Sequence, residues 1–259
     1  MPLLLKSGLS WIVTLLAPVA ILMLGVRLLL MPAFLQVEYR MPGFPADSYG
    51  FSMEERIRWA TPSLLYLVND QGIGYLAELM FDNGTPIYSA RELSHMQDVK
   101  SVLQTLLKVW DAVLVVLAGL GIWAFRAGWL PPRRRAAGMA QSRRPPSGRR
   151  HDAAWLDAYR SGWRRGGFLM IAVLLALSIF ALTSFWEFFT WFHSLFFHGD
   201  SWLFAYSDTL IRLFPVRFWE DCFVYIGGFS LLVGLVLAFG LVPPGAPIFG
   251  VQNGGTGGG

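Results

Sequence analysis

Cysteine and charge are both scarce in this sequence. Cys222 is the only cysteine, so no disulfide, dithiol redox couple or multi-cysteine metal site can form within one chain. Charged residues make up 15% of the 259 residues, whereas soluble domains usually carry about a quarter. Hydrophobic residues reach 54%, and a water-soluble domain of this size could not bury so much apolar surface. The composition therefore predicts an integral membrane protein.

Sequence motifs of several common enzyme classes are missing as well. The chain has no Gly-x-Ser-x-Gly turn, no phosphate-binding loop and no glycine-rich dinucleotide motif. The case for a serine hydrolase is therefore weak, and an ATP-driven transporter has no support. The two halves of the sequence share no internal repeat, which argues against a transporter built from inverted repeats.

Four apolar runs are long enough to cross the hydrocarbon core of a membrane, which takes about 20 helical residues. The first run could instead be a cleaved signal peptide, but it continues well beyond the about 7–15 apolar residues of such a segment. We therefore predict an all-α membrane protein, a single domain over 1–259 with four transmembrane helices. The spans lie at about 9–30, 102–125, 168–189 and 223–242.

The charges of the connecting segments predict an orientation. Residues 131–167 carry ten arginines against two aspartates, whereas residues 32–101 carry nine acidic against five basic residues. The positive-inside rule then places the arginine-rich loop, 126–167, and both termini in the cytoplasm. We interpret this loop as a topology signal rather than as a site for nucleic acid or lipid headgroups. The glycine-rich tail at 245–259 is predicted to be disordered.

The two segments on the other side, 32–101 and 190–221, are predicted to form an extracytoplasmic helical cap. Periodic stretches at 53–68 and 74–80 indicate short helices between turns. Ser89 and Glu92 have the spacing of a capping box, which predicts a helix that begins near Ala90 and continues into the second span. The segment 190–221 is dense in aromatic residues, which are favoured at a membrane interface.

Three of the four histidines lie in the predicted outer segments, at His95, His193 and His198. On a helix, Glu92, His95 and Asp98 share one side, and a neighbouring carboxylate can fix an imidazole tautomer and raise its basicity. His193 follows a span among aromatic residues, where a titratable side chain is costly and indicates a functional site. Both could also be structural residues of the interface, and the spacing alone leaves this open.

The remaining histidines and the possible metal ligands carry weaker signals. His198 is typical of an exposed turn, and His151 is typical of a solvated loop. Glu92-x-x-His95 resembles half of a carboxylate-bridged metal site, but neither a second Glu-x-x-His nor a His-x3-His pair accompanies it. A metal-dependent membrane hydrolase is therefore the weakest of the functions considered.

Two motifs together resemble the bacterial lipoprotein intramolecular transacylase family. The first is R-E-L-S-H-M-x-D-V at residues 91–99, before the second span, and the second is F-H-x-x-F-F at residues 192–197. The second motif continues through W-x-F, D-x-L-I-x-L and P-x-x-F at 202–204, 208–213 and 215–218. The four-span layout with both motifs outside is also similar to the family. The arginine-rich loop and the glycine-rich tail depart from it.

The resemblance implies a reaction on a lipoprotein whose N-terminal cysteine carries a diacylglyceryl thioether. The sn-2 acyl chain would move from its glyceryl ester to the α-amino group of the same cysteine, without ATP, a metal or a cofactor. His95 and His193 are implied as the catalytic pair, one as base and the other as the stabiliser of the oxyanion or leaving alkoxide.

Five further residues are implied to support this pair. Glu92 or Asp98 would orient the imidazole of His95, and the others are Arg91, Trp202 and Asp208. The expected partners are a diacylated lipoprotein and membrane lipids, and nucleic acid is not expected. The alternative is a non-enzymatic assembly or binding protein of the membrane, whose aromatic outer segment would dock a partner.

Overall fold

A computed structural model describes residues 2–129, 148–197 and 199–240. The regular elements of these residues are helices, and an isolated antiparallel bridge joins Met80 to Pro86. The predicted all-α membrane fold is confirmed. The middle of the arginine-rich loop, the glycine-rich tail and His198 lie outside the described residues, and so does the side chain of His151.

In the described part of the chain, four helices are long and apolar enough to cross a membrane. They are α1 (Pro2–Leu29), α5 (Ala90–Trp129), α6 (Gly148–Thr183) and α9 (Val216–Leu235), the last of which is extended by a π-helical turn at Val236–Gly240. The protein is therefore a multi-pass membrane protein, as the four apolar runs predict.

Small residues allow the span helices α1 and α6 to approach closely. A Cβ atom added to Gly162 would lie 2.6 Å from the Val13 Cβ and 2.8 Å from the Ser10 carbonyl oxygen. A Cβ atom added to Gly166 would lie 2.8 Å from the Ala17 Cβ. The two glycines are one turn apart and share a face of α6, which is the spacing that lets membrane helices pack backbone to backbone.

The helix that carries His95 begins in the cap and continues into the membrane without a break. The predicted capping box is confirmed, because the Glu92 carboxylate accepts the Ser89 backbone N–H at 2.8 Å and the Ser89 hydroxyl accepts the Glu92 N–H at 3.3 Å. α5 has 40 residues and is therefore about 60 Å long. Since the hydrocarbon core is about 30 Å thick, the first turns of α5 extend beyond it.

The cap consists of five helices and the segments that connect them. They are α2 (Pro32–Glu38), α3 (Met53–Val68), α4 (Gly74–Ala77), α7 (Phe185–Phe196) and α8 (Thr209–Leu213). The two outer segments are joined by hydrogen bonds from the Tyr39 hydroxyl to the Leu213 carbonyl and from the Thr209 hydroxyl to the Ile87 carbonyl, each 2.7 Å long. They therefore form one cap, as predicted.

The third apolar run is divided at Ser184, whereas the sequence predicts a continuous span to about residue 189. Ser184 is extended, and its hydroxyl accepts the Glu187 N–H as the N-cap of α7. Most residues on both sides are aromatic or aliphatic, so mean hydropathy does not reveal the break, although Ser184-x-x-Glu187 has the spacing of a helix N-cap. Because α7 is a separate helix, it packs against α9, with the Phe188 and Phe223 rings 4.9 Å apart.

Candidate active site

His193 lies in the last turn of α7 and exposes only 9% of its surface. Its Nδ1 is 2.8 Å from the Phe189 carbonyl oxygen. A carbonyl oxygen can only accept, so in the neutral ring Nδ1 carries the proton and Nε2 keeps the lone pair. Burial lowers the pKa of His193 below its usual value, although the bond to Phe189 acts in the opposite direction. The ring is therefore neutral at pH 7, with a basic Nε2.

Aromatic rings fix the orientation of the His193 imidazole. The Trp202 ring stacks on it at a centroid distance of 4.6 Å and an angle of 27°. Phe189 and Phe192 contact it at 4.1 and 5.6 Å. The ring thus has little freedom to rotate, as a group that must present one nitrogen to a substrate requires.

His95 lies in the second turn of α5, in a second part of the same aromatic cluster. Its ring packs between Phe197 and Phe204 at centroid distances of 5.2 and 5.3 Å. The Nδ1 atom of His95 is buried and has no hydrogen-bond partner among the described residues. Because a buried polar atom is normally paired, this nitrogen is free to bond to a ligand or a water molecule.

Phe197 brings the two histidines together. Its ring centroid is 5.2 Å from that of His95 and 5.8 Å from that of His193. The two imidazoles are also close enough to interact electrostatically. The structure therefore places both predicted catalytic residues in one cluster, although they come from two outer segments that are far apart in the sequence.

Arg91 lies at the edge of this cluster. Its guanidinium donates to the Asp200 carbonyl at 2.7 Å and lies 3.9 Å from the Asp200 carboxylate. The same guanidinium lies 5.6 Å from the centre of the Phe204 ring, which in turn contacts His95. Arg91 thus holds the segment around Asp200 beside α5.

Glu92 is buried near His95 but faces the cap. One carboxylate oxygen accepts the Ser89 N–H, and the other accepts the Leu210 N–H at 2.8 Å. Asp98 is exposed on α5. Among the described residues, His95 Nδ1 donates to neither carboxylate, so the expected orienting contact is absent. The reason is that unpaired N–H groups at the start of α5 and α8 compete for the Glu92 carboxylate.

Asp208 also has a local role. Its carboxylate accepts the Ala205 N–H at 2.8 Å and so closes the turn that leads into α8.

Phe197 and Phe204 form walls of the histidine cluster that the sequence did not reveal, because the aromatic segment was expected only as a membrane interface. Among the described residues, no three His, Cys, Asp or Glu side chains are grouped so that they could hold a metal ion.

The fold and this site define an integral membrane protein that has four span helices in its described part and a pair of histidines in an aromatic cluster of its cap. The chain belongs to the lipoprotein intramolecular transacylase (Lit) family, because the sequence profile of that family matches residues 11–219. The resemblance drawn from the two motifs is thus confirmed.

Two solved structures share this fold, and one relative matches most of the chain. The structure of the membrane integral lipoprotein intramolecular transacylase Lit from Bacillus cereus superimposes with a TM-score of 0.65 at 19% identity, covering 90% of this chain and 92% of that chain. A point variant of the same enzyme gives a TM-score of 0.60 at 17% identity, covering 90% and 88%. A protein of Aquifex aeolicus (strain VF5), described as uncharacterized, is 28% identical over 236 residues, which is 90% of this chain and 93% of the relative.

Proposed function

We propose that this protein moves the sn-2 acyl chain of a diacylglyceryl-cysteine lipoprotein to the α-amino group of the same cysteine. The product is an N-acyl, S-monoacylglyceryl lipoprotein, the lyso form. The observation that carries the proposal is the meeting of His95 and His193 around Phe197, in a chain that belongs to a lipoprotein transacylase family.

The reaction balances without a redox partner or ATP. The amine nitrogen attacks the ester carbonyl carbon, and a C–N bond forms as a tetrahedral oxyanion develops. The bond between this carbon and the sn-2 oxygen then breaks, and the proton lost by nitrogen is passed to that oxygen. Nucleophile and ester belong to one molecule, which supplies much of the orientation. The protein must still transfer the proton and stabilise the oxyanion.

The two imidazoles differ in their hydrogen bonding, and this difference supports different roles for them. Nδ1 of His193 is committed to the Phe189 carbonyl, so Nε2 is available as the general base for the amine. Trp202 stacks on this ring and would keep Nε2 aimed at the substrate. His95 has an unpaired buried nitrogen and would serve the oxyanion or return the proton to the departing alkoxide.

We also infer that the site faces the extracytoplasmic side, with both termini in the cytoplasm. The arginine excess of the loop at 126–167 supports this orientation. Mature lipoproteins are anchored in the leaflet on that side, so the glyceryl ester would reach the cap from the membrane. The aromatic rings around the histidines provide an apolar surface for the transferred chain.

Substitution of the histidines tests the proposal directly. Purified His193→Ala and His95→Ala, reconstituted with a diacylated lipoprotein, should each form the lyso product at least about 100-fold more slowly than wild type. Mass spectrometry of the tryptic N-terminal peptide measures the product. His151→Ala, in the arginine-rich loop, is the matched control and should keep full activity. Normal product from both folded site variants would overturn the proposal and favour a binding function.

The pH dependence provides a second test. The α-amino group of a substrate ionises at about pH 7.7–8.0, so turnover should rise with pH through this range. The pKa of His193 lies below its usual value because of burial, so its protonation should add a second, steeper loss only in more acidic solution. A profile that falls with rising pH would contradict a neutral imidazole base.

A further inference from the structure

A groove of about 420 Å³ opens between α1, α2 and α9. Its walls are apolar except for the hydroxyl of Tyr225, and they include Gly25 of α1, Phe34 of α2 and Phe229 of α9. A Cβ atom on Gly25 would lie 3.4 Å from Phe229 and from Ile226. The absence of a side chain at Gly25 therefore helps to keep the groove open.

The groove is separate from the histidine cluster. Phe34, on its wall, contacts Phe218 at 5.7 Å, and Phe218 contacts Trp219 at 5.5 Å. Trp219 contacts Phe189 at 6.3 Å, and Phe189 in turn contacts His193. Three large aromatic residues, Phe218, Trp219 and Phe189, thus stand between the groove wall and His193, so the occupant of the groove is not the reacting ester.

The location of the groove identifies the kind of molecule that fills it. Two of its three walls, α1 and α9, are helices apolar enough to span the membrane. Hydrocarbon rather than water surrounds such helices, so an acyl chain fills an apolar groove between them. The groove is also bordered by α2, which belongs to the cap, and one end of it therefore lies at the membrane interface.

One face of α9 changes from charged to apolar along the groove. Arg217, Asp221, Tyr225 and Phe229 recur every fourth residue, so each lies one turn from the next in a row that winds slowly around the helix, and the last two of them line the groove. They extend over about 18 Å, from the cap end of α9 towards its interior. The order matches an amphiphile that lies along the helix, with its polar group near Arg217 and its chain near Phe229.

Arg217 can bind an anionic group at the upper end of this face. Its Nε donates to the Asp221 carboxylate at 2.7 Å, and 52% of its side chain is exposed. Among the described residues this is its one hydrogen bond, which leaves the two terminal nitrogens of the guanidinium unbonded. Such a fork suits the oxygens of a phosphate. Arg217 is also close enough to Tyr225 and Glu38 to act on them electrostatically.

We propose that this groove is a binding site for one glycerophospholipid of the surrounding leaflet. Its phosphate contacts Arg217, and one acyl chain lies along Gly25, Phe34 and Phe229. The lipid is not a substrate. It fastens α2, and with it the cap, to the span helices α1 and α9.

Native mass spectrometry of the full-length protein in detergent tests the site with phosphatidylglycerol as the probe. Wild type should retain one phospholipid, whereas diacylglycerol with the same chains and glycerol 3-phosphate should each bind about tenfold more weakly. Ala33→Trp fills the groove from an exposed wall position, and Arg217→Gln removes the fork. Each should lower phospholipid occupancy about tenfold at a fixed lipid concentration.

Two variants serve as matched controls. Val115→Trp places a tryptophan on an exposed face of α5, and Arg58→Gln removes an exposed, paired arginine of α3. Both should bind like wild type, and so should His193→Ala, so the outcome is independent of the catalytic proposal. Equal occupancy in the groove variants and the controls, no retention by wild type, or equally tight binding of diacylglycerol or glycerol 3-phosphate would overturn the inference. If Ala33→Trp does not fold, Arg217→Gln alone decides.

Discussion

The closest contacts between α1 and α6 are made by small residues, whereas several contacts between the two outer segments of the cap are made by buried charged side chains. Gly162 and Gly166 let two backbones approach in the bundle. In the cap, Glu92 binds the Leu210 N–H of the other segment, and Arg212 binds Asp47 at 2.9 Å. Small residues thus set the close approach of α1 and α6, whereas buried charged side chains join segments of the cap that are far apart in the sequence.

The surroundings of the two regions explain the difference. Lipid gives span helices no hydrophobic reason to associate, so close packing of small residues decides their contacts. The cap instead contains several short helices, whose ends present unpaired N–H and C=O groups. Charged side chains such as Glu92 satisfy these groups and at the same time fix one segment against the other. The histidine cluster depends on this second kind of contact, because His95 and His193 come from different segments.

The largest loss of stability should follow from removing the buried carboxylate of Glu92. Glu92→Ala leaves the N–H groups of Ser89 and Leu210 without their acceptor, and we expect the free energy of unfolding to fall by about 3 kcal/mol. Formation of the lyso product should fall as well, because α8 is released from α5. Cys222 is buried and is the only cysteine, so a thiol-reactive dye can follow thermal unfolding in detergent.

The chain offers a matched control for Glu92. Ser52 and Glu55 form the same capping box at the start of α3, where both are exposed. Glu55→Ala should therefore lower the unfolding temperature much less and leave activity unchanged. Equal losses in the two variants would show that the helix cap matters at position 92 and the contact with α8 does not.

The close contact of α1 with α6 should be the next most sensitive feature. The methyl group of Gly162→Ala meets Val13 at 2.6 Å, and such overpacking costs about 2 to 3 kcal/mol. Gly119→Ala in α5 is the control, because nothing lies within 4 Å of its added methyl group. That variant should be more stable than wild type by about 0.5 kcal/mol. Thermal unfolding in detergent measures both, and a Gly162→Ala protein as stable as Gly119→Ala would contradict glycine packing in the bundle.

The junction of cap and bundle should respond to pH through Glu38. This side chain is fully buried, and it lies beside the Asp221 carboxyl and the Tyr225 hydroxyl. Burial, together with the neighbouring Asp221 carboxyl, raises the pKa of Glu38 to about 7. The folded state therefore favours the neutral carboxyl of Glu38. The stability that this preference gives the protein is complete below the unfolded-state pKa, near 4.5, and is lost as pH rises through about 7.

Glu38→Gln isolates this effect. Wild type should lose roughly 2 kcal/mol of stability between about pH 5 and about pH 8, whereas the variant, which stays neutral, should lose less. Intrinsic tryptophan fluorescence during thermal unfolding measures the two profiles. Glu54→Gln, at an exposed position of α3, should keep the wild-type profile. If Glu38→Gln also keeps it, Glu38 does not ionise in this range.

Local signals in the sequence predicted much of the fold. The apolar runs located the four span helices, and the Ser89–Glu92 pattern located the start of α5. The periodicity at 53–68 gave the limits of α3. Each of these features depends on residues that are neighbours along one helix, and such patterns can be read without knowing the tertiary structure.

Long-range contacts could not be read in the same way. The sequence placed Glu92 on the side of His95, but it gave no sign that the Leu210 N–H would take the carboxylate. It named both histidines through the family resemblance, whereas their meeting around Phe197 depends on the break at Ser184 that turns α7 into a separate helix. That break lies in a long apolar run, where its local signal is the Ser184-x-x-Glu187 spacing of a helix N-cap.

The smallest expected effect concerns the ion pair that joins α8 to the segment before α3. The Arg212 and Asp47 side chains are 14% and 4% exposed, and the guanidinium lies 3.4 Å from the centre of the Phe51 ring. Burial alone would raise the pKa of Asp47, but hydrogen bonds from Arg212 and the Phe51 N–H lower it below its usual 3.8. The pair therefore stabilises the cap above about pH 4, and this contribution is lost as pH falls through the lowered pKa.

Arg212→Lys keeps the charge but removes the planar group that both binds the carboxylate and stacks on Phe51. We expect a loss of about 1 kcal/mol at neutral pH and unfolding at a higher pH during acid titration. Arg58→Lys is the control, since Arg58 also lies over an aromatic ring, that of Trp59, and faces Asp82 at 3.5 Å, but this pair is exposed. A smaller loss there would show that burial, rather than charge pairing as such, gives the polar contacts of the cap their strength. Equal losses would mean that stacking on the ring accounts for the whole effect.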